Sequence, residues 1–311
     1  MTGPVPPAAW QRLESRQVAT NGIELRVVEH GEGPLVVLCH GFPELGRSWR
    51  HQVFALAAAG YRTMTPDLRG YGGSSRPARI SAYDIRTLCA DLAGLLDDVG
   101  AADALFVGHD WGASLVWHMA LFHPERVRAV AGLSVPITPR SPVQPLSILR
   151  RRLGDDFYTC WFQEPGLADP VLDRNVRNTL LADCVDAAQW TANSEAGPLP
   201  PRPWQSEEDL AFLIQAFETT GFTGGLNYYR NIDRNWALTR SVADCQIPQP
   251  SLYITGSHDP FGKHANAGKL AAVLTDLRGH IVLDGAGHWI QQERPDEVTD
   301  ALLRFFAALA P

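Results

Sequence analysis

Short apolar runs alternate with helical patterns at both ends of the chain. The run Leu35–Cys39 (LVVLC) is continuously apolar and is bounded by turn residues, which is typical of a strand buried on both faces of a parallel sheet. The pair Asn21-Gly22 lies between two strand-like segments, Gln17–Thr20 and Ile23–Glu29, and predicts an antiparallel hairpin ahead of that sheet. Further short runs of the same kind lie at Arg62–Thr65, Ala104–Val107, Val127–Leu133, Ser251–Thr255 and His280–Leu283.

Helical patterns separate these runs, and the alternation predicts a doubly wound, mostly parallel sheet with the hairpin at its start. The stretch 139–244 breaks this order, because helical patterns predominate there and proline-rich pieces interrupt them. We therefore expect an α/β core formed by residues 1–138 and 245–311, with a helical lid inserted at 139–244. The helical patterns of the core cover Trp49–Ala59, Tyr83–Val99, Ala113–Phe122, Ala265–Leu274 and Asp296–Leu309.

Composition and charge argue against nucleic acid and membranes as partners of this chain. The chain has 311 residues with a net charge of -7, so it offers no basic field to attract nucleic acid or anionic lipid. No apolar stretch is long enough for a membrane span. The first ten residues lack the pattern of a secretory signal, and the five widely spaced cysteines include no Cys-x-x-Cys pair. We expect a cytoplasmic monomer or homodimer with reduced thiols.

The chemistry begins at Gly108–Gly112 (GHDWG), which follows the run Ala104–Val107 and opens the helical pattern Ala113–Phe122. This strand–turn–helix setting is that of a nucleophile elbow, with Asp110 where such elbows often carry serine. Flanking glycines fit this interpretation, because the central residue adopts a strained conformation that bulky neighbours would obstruct. A Gly-x-Asp-x-Gly turn is common by itself, so the prediction that Asp110 is the nucleophile rests on its setting.

Three more loops follow strand-like runs and carry the other groups of the predicted site. The segment His40–Glu44 (HGFPE) stands where this architecture places one oxyanion-hole donor, so we expect the N–H groups of Phe42 and Trp111 to form the hole. Asp259 and His288 follow the last two runs, and the order nucleophile, acid, histidine is that of the α/β-hydrolase triad. We expect Asp259 to orient His288. Three further histidines are interpreted as supporting or surface groups: His40, His109 and His258.

An aspartate nucleophile changes the task of the histidine. Asp110 is ionised at neutral pH without help from a base, because an ordinary aspartate pKa is about 3.9. Its attack on a saturated carbon leaves an alkyl ester. Resolving that ester requires a water molecule, activated by His288, that attacks the ester carbonyl. This chemistry requires no metal and no organic cofactor.

Taken together, these motifs resemble those of the α/β-hydrolase-fold epoxide hydrolases, and the resemblance extends from about Val18 to Phe306. It implies the conversion of an epoxide and water to a vicinal diol. The segments that carry it are HGFPE at 40–44, DLRGYGGS at 67–74, GHDWG at 108–112, WFQEPG at 161–166, NYYRNIDRNW at 227–236 and GHW at 287–289.

The same resemblance assigns two lid tyrosines as hydrogen-bond donors to the epoxide oxygen. Their motif positions point to Tyr158, four residues before Phe162, and to Tyr229, whereas the neighbouring Tyr228 is implied to be a packing aromatic. Donors suit the chemistry, because an alkoxide leaves poorly until it is protonated. Aromatic residues also predict an apolar pocket for a small apolar epoxide, formed by Phe42, Trp111, Trp161, Phe217, Phe222 and Trp289.

Two other interpretations stay open on the sequence. A haloalkane or haloacid dehalogenase uses the same aspartate and histidine, although many of these enzymes have asparagine where Phe42 stands and lack the paired lid tyrosines. A non-catalytic hydrolase-fold protein would bind a ligand in the same pocket without turnover. The physiological role is equally open among detoxification, lipid-epoxide metabolism and a natural-product pathway.

Overall fold

The strands form a single mixed sheet in the computed structural model, which describes residues 7–262 and 266–309. Their order across the sheet is β1-β2-β4-β3-β5-β6-β7-β8. The first two pairings are antiparallel and the others are parallel. The strands are β1 (Ser15–Thr20), β2 (Ile23–His30), β3 (Leu35–Cys39), β4 (Arg62–Pro66), β5 (Ala104–His109), β6 (Val127–Leu133), β7 (Ser251–Gly256) and β8 (Leu277–Leu283).

The hydrophobic runs therefore mark the strands correctly. The hairpin closes at Asn21 and Gly22, which have φ values of 43° and 75°, the left-handed conformation that an Asn-Gly turn favours. One run differs from the expected burial: in β8, the last strand of the sheet, half-buried and exposed residues alternate, and only Leu283 is buried. The reason is that an edge strand has a neighbour on one side only, so fewer of its side chains are covered.

The helices connect the strands as the alternation predicts, with bounds that shift by a few residues. The pattern Ala113–Phe122 corresponds to a helix that begins at Trp111, and Ala265–Leu274 corresponds to a shorter helix, with Ala265 outside the described residues. The helices are α1 (Pro7–Gln11), α2 (Arg50–Ala58), α3 (Ile85–Asp98), α4 (Trp111–Phe122), α5 (Pro145–Leu153), α6 (Tyr158–Trp161), α7 (Asp169–Arg174), α8 (Val176–Leu181), α9 (Ala187–Glu195), α10 (Glu207–Thr220), α11 (Thr223–Arg230), α12 (Ile232–Leu238), α13 (Ala267–Ala271), α14 (Ile290–Glu293) and α15 (Pro295–Ala307).

The chain divides into two compact units. The sheet unit comprises Met1–Leu68, Arg86–Pro139 and Val242–Pro311, and the helical unit comprises Arg69–Ile85 and Arg140–Ser241. Helices α5 to α12 all belong to the helical unit. The division of the chain into a core and a lid at 139–244 stays a prediction. Within the described residues, no helix combines the length and the apolar character that crossing a membrane requires.

The core of the sheet unit lies on the sheet. On one face, buried side chains of β3 and β5 pack with those of α2 and α15, including Leu38, Val107, Leu56 and Leu302. On the other face, α4 packs against β5 and β6. The approach is close at Gly132 of β6, where an added Cβ would lie 2.2 Å from the Trp117 ring. The packing fixes the carboxyl ends of the parallel strands, where this class of sheet builds its sites.

We expect Leu38→Ala to lower the free energy of unfolding by about 2–5 kcal/mol, because it empties a fully buried position in a central strand. The matched control is Leu153→Ala, at a leucine with 54% exposure in α5, which should leave the stability of the chain nearly unchanged. Urea unfolding followed by circular dichroism measures both. Equal midpoints for Leu38→Ala and the unmodified chain would contradict this description of the core.

Candidate active site

Asp110 stands in the turn that joins β5 to α4, and its backbone is strained. Its φ of 53° and ψ of -118° are rare for a residue with a side chain. The flanking glycines permit this turn: an added Cβ at Gly108 would lie 2.1 Å from the Gly112 oxygen, and one at Gly112 would lie 2.1 Å from the Cys39 oxygen. The sequence expectation of a glycine-flanked strained turn is thus met by the backbone geometry, and the Asp110 side chain is held above the sheet edge.

A backbone donor from the loop after β3 holds one oxygen of this carboxylate. The N–H of Phe42 donates to Asp110 Oδ1 at 2.9 Å, across a loop that contains a cis Phe42–Pro43 peptide bond. Trp111 is the first residue of α4, so its N–H belongs to the turn whose N–H groups have no partner within the helix. Phe42 and Trp111 are the two donors that the sequence predicts for an oxyanion hole.

His288 lies between two carboxylates. Its Nδ1 is 3.0 Å from Asp259 Oδ2, and its Nε2 is 3.6 Å from Asp110 Oδ2. Asp259 is fully buried, and its other oxygen accepts the N–H of Phe261 at 2.9 Å. The structure therefore brings together Asp110, Asp259 and His288, which come from the ends of β5, β7 and β8.

The charges of these groups are coupled. Burial alone would lower the pKa of His288, but hydrogen bonds to Asp110 and Asp259, together with the charges of both carboxylates, raise it to about 10. Burial would raise the pKa of Asp110, but hydrogen bonding and charge from His288 hold it below its usual value. The raised pKa of His288 stabilises the folded chain below pH 6.5, and this contribution is lost as the pH rises through about 10. The lowered pKa of Asp110 stabilises the folded chain at higher pH, and this contribution is lost as the pH falls through the pKa of the folded state.

A second histidine supports the loop that carries His288. The fully buried His109 lies 2.8 Å from Glu44 Oε2 through Nδ1 and 2.8 Å from the His288 carbonyl oxygen through Nε2. Glu44 also accepts hydrogen bonds from Gln291 and Gln292. Burial would raise the pKa of Glu44, but the charge and hydrogen bond of His109 lower it. The sequence interpretation of His109 as a supporting group agrees with these contacts, whereas the role of Glu44 as its partner was not predicted.

Ser134 is a further group that the sequence analysis missed. It follows β6, is fully buried and has a φ of 67°, a left-handed conformation that is costly for serine. Its hydroxyl donates to the His288 carbonyl oxygen at 2.6 Å, and its own carbonyl oxygen accepts the Tyr253 hydroxyl at 2.8 Å. A lone serine after a strand belongs to no motif, so only the folded backbone shows this contact.

The two tyrosines implied by the resemblance are neighbours within the helical unit. Tyr158 begins α6 and Tyr229 lies near the end of α11, with ring centroids 5.9 Å apart in an edge arrangement. Tyr228 is almost fully buried, and its hydroxyl donates to the Arg69 carbonyl oxygen at 2.8 Å. This placement of Tyr228 agrees with its interpretation as a packing aromatic.

The remaining aromatics and histidines have varied surroundings. Phe217 and Phe222 are buried and stack on each other at 4.6 Å, and the Trp289 ring lies 5.2 Å from the His288 ring. The aromatic pocket stays a prediction for all six residues. His40 is buried, with the Leu68 N–H donating to its Nε2, and His258 is exposed. Over the described parts of the chain, no three His, Cys, Asp or Glu side chains are arranged to hold a metal ion.

Comparison with known proteins matches this geometry to a family. The family model described as alpha/beta hydrolase fold covers residues 34–295. Epoxide hydrolase A of Mycobacterium tuberculosis is 50% identical and aligns over 94% of this chain and 97% of its own. The crystal structure of epoxide hydrolase A from Mycobacterium thermoresistibile has a TM-score of 0.88 at 49% identity, covering 94% of this chain and 98% of that one. Epoxide hydrolase VrEH1 from Vigna radiata has a TM-score of 0.89 at 36% identity, with coverages of 96% and 98%.

The fold defines an α/β hydrolase, and its strained turn between β5 and α4 carries a carboxylate, Asp110. Within that class, the chain belongs to the epoxide hydrolase family. The resemblance inferred from the motifs is thereby confirmed, as is the predicted fold of a mostly parallel sheet that begins with an antiparallel hairpin. The roles of individual residues remain to be proposed from the geometry.

Replacing Asp110 by asparagine should lower the pKa of His288 well below 10, because it removes a hydrogen bond and a negative charge that stabilise the imidazolium. Titration of the ¹⁵N-labelled imidazole by NMR measures this pKa. Asp300→Asn, at an exposed position of α15, serves as the control and should leave the titration of His288 unchanged. A pKa of His288 that is the same in Asp110→Asn and in the unmodified chain would show that the two groups are not coupled.

Proposed function

We propose that this chain converts an epoxide and water to a vicinal diol through a covalent ester on Asp110, which His288 and water then resolve. The observation that carries the proposal is the position of the Asp110 carboxylate. One oxygen accepts a backbone N–H from Phe42, and the other faces His288 at 3.6 Å. This arrangement supports a role for Asp110 as the nucleophile. Oδ2 is the oxygen that attacks, and Oδ1 already accepts a hydrogen bond from one donor of the proposed oxyanion hole. The epoxide hydrolases named above support the choice of substrate class.

In the first step, Asp110 Oδ2 attacks one carbon of the epoxide, and the bond between that carbon and the ring oxygen breaks. The electron pair goes to the ring oxygen, which takes a proton from a tyrosine hydroxyl. We assign Tyr158 and Tyr229 as the donors. Their adjacent rings within the helical unit support this assignment, because two neighbouring hydroxyls can serve the same oxygen atom.

The second step is cleavage of the ester, and it begins once His288 has lost its positive charge. Ester formation neutralises Asp110 and so removes one of the two carboxylates that raise the pKa of His288. His288 then gives up its proton, the tyrosine that protonated the ring oxygen regains one, and the neutral His288 becomes a base. It removes a proton from water, which attacks the carbonyl carbon of the ester. The N–H groups of Phe42 and Trp111 stabilise the negative oxygen until the ester bond to Oδ2 breaks. The departing diol oxygen takes the proton from His288, and the new carboxyl group of Asp110 then gives its proton to His288, which restores the starting carboxylate and imidazolium.

Cleavage of the ester by His288 and water depends on the orientation that Asp259 gives to His288. Its hydrogen bond to His288 Nδ1 leaves Nε2 on the side of Asp110, where the water must lose its proton. The hydrogen bonds from Ser134 and His109 to the His288 carbonyl oxygen keep the loop of His288 in this position. The proposed mechanism uses side chains and backbone groups of this chain only.

We further propose that the substrate is a small apolar epoxide and that the protein works in the cytoplasm. The free state of all five cysteines supports a reducing compartment. Cys39, Cys89 and Cys160 are also buried, and burial raises the pKa of the Cys39 and Cys160 thiols, so these are poor nucleophiles.

His288→Gln should accumulate the ester, because ester formation does not use the base whereas ester cleavage does. After addition of styrene oxide, intact-protein mass spectrometry should show one added epoxide mass, and peptide mapping should place it on Asp110. His123→Gln, at the histidine that follows α4, is the matched control and should show turnover without adduct.

Three outcomes would overturn the proposal. An adduct that persists in a His288→Gln, Asp110→Ala double variant would place the nucleophile elsewhere. Release of bromide from 1-bromobutane, with no diol from styrene oxide, would instead establish a dehalogenase. Binding of styrene oxide with neither adduct nor diol would favour the ligand-binding alternative.

A further inference from the structure

The proposed tyrosine donors stand on helices that are too short to be stable by themselves. α6 has four residues and begins with Tyr158, and α11 has eight residues with Tyr229 next to its end. Isolated helices of this length are not stable in water, so their positions depend on contacts made by their ends. One such contact fixes the start of α6, where the Tyr158 N–H donates to the Val185 carbonyl oxygen at 3.0 Å.

The other end of α6 is fixed by the side-chain amide of Gln163. Its Nε2 donates to the Thr159 carbonyl oxygen at 2.7 Å and to the Tyr229 carbonyl oxygen at 3.0 Å. An amide nitrogen has two N–H bonds, so this one group serves both acceptors. Both carbonyls lie in the last turn of a helix, where carbonyl oxygens have no regular intrahelical partner. Gln163 therefore connects the end of α6 directly to the residue that carries the second proposed donor.

A parallel contact comes from Arg230, the last residue of α11. Its Nε donates to the Phe162 carbonyl oxygen at 3.0 Å, and its guanidinium forms a buried ion pair with Asp169 at 2.6 Å. The Phe162 ring contacts both tyrosines, with ring centroids 5.5 Å from Tyr158 and 5.2 Å from Tyr229. The two helix ends are thus held by two neighbouring residues of one segment, Phe162 and Gln163.

The two contacts differ in what their loss would do. Removing Arg230 would take the cation from the partly buried Asp169 carboxylate, which is destabilising. Gln163 is neutral and half-buried, so its amide can be replaced with less effect on folding. Its loss would free Tyr229 to shift relative to Tyr158 while the ion pair still holds the helical unit together.

We propose that Gln163 is a positioning residue for ring opening: it sets the separation of Tyr158 and Tyr229 so that both hydroxyls serve one epoxide oxygen. This inference rests on the proposed function. It predicts an effect on one step only, because the tyrosines act when the ring opens, whereas ester cleavage uses His288, water and the oxyanion hole.

Gln163→Met tests the proposal, because methionine has a similar length and shape but no N–H donors. Single-turnover rapid quench with styrene oxide gives the rate constants of ester formation and of ester cleavage separately. We expect ester formation to slow by about 10-fold or more, as misplacement of reacting groups commonly does, with ester cleavage unchanged. Gln163→Glu should slow ester formation further, since a carboxylate would face two carbonyl oxygens. The matched control is Gln215→Met, at an exposed glutamine of α10 in the same unit, with both rates unchanged.

Two results would overturn the inference. Ester formation at the normal rate in folded Gln163→Met would show that the amide does not position the tyrosines. An equal loss in both steps, together with a lower melting temperature, would show that Gln163 only stabilises the fold. Tyr158→Phe and Tyr229→Phe distinguish failure of this inference from failure of the proposed function on which it rests. If they slow ester formation and Gln163→Met does not, only the positioning role fails; if they leave it unchanged, the proposed donors fail as well.

Discussion

The structure of the site depends on one strained turn and the hydrogen bond that faces it. Asp110 is held at a φ of 53° between two glycines, and its Oδ1 accepts the Phe42 N–H. The strain is sustained by the close packing of α4 against β5 and the end of β3, which leaves no room for a side chain at Gly108 or Gly112. The turn places the carboxylate so that Oδ1 already accepts a hydrogen bond from one donor of the proposed oxyanion hole. The proposed nucleophile and the proposed oxyanion hole therefore depend on the same turn and on the loop that faces it.

The second constraint is the charge shared by Asp110, His288 and Asp259. With two carboxylates beside it, the imidazole of His288 favours the protonated state and cannot act as a base. An ester on Asp110 would remove one of those charges and so prepare His288 for the step that follows. The order of the proposed reaction is thus a consequence of electrostatics.

Much of the fold and the triad could be predicted because each has a local signature. Buried parallel strands read as apolar runs, and the elbow needs glycine on both sides of Asp110. The parts that were missed have no such signature. Glu44 is a partner of His109 only because the folded chain brings two loops together, and Ser134 adopts a positive φ that sequence rules assign to glycine or asparagine. Tyr158 and Tyr229 lie far apart in sequence, so the resemblance to a family, and not spacing, identified them.

The central claim is that Asp110 forms a covalent bond to the substrate, and the fate of oxygen atoms tests it most directly. Enzyme in excess over styrene oxide, in ¹⁸O-labelled water, should give a first-turnover diol without label, because the new oxygen comes from the Asp110 carboxylate. The label should appear in the Asp110 carboxylate instead, where peptide mass spectrometry can find it. A first-turnover diol that carries ¹⁸O would mean that water attacks the epoxide directly, and it would contradict the account.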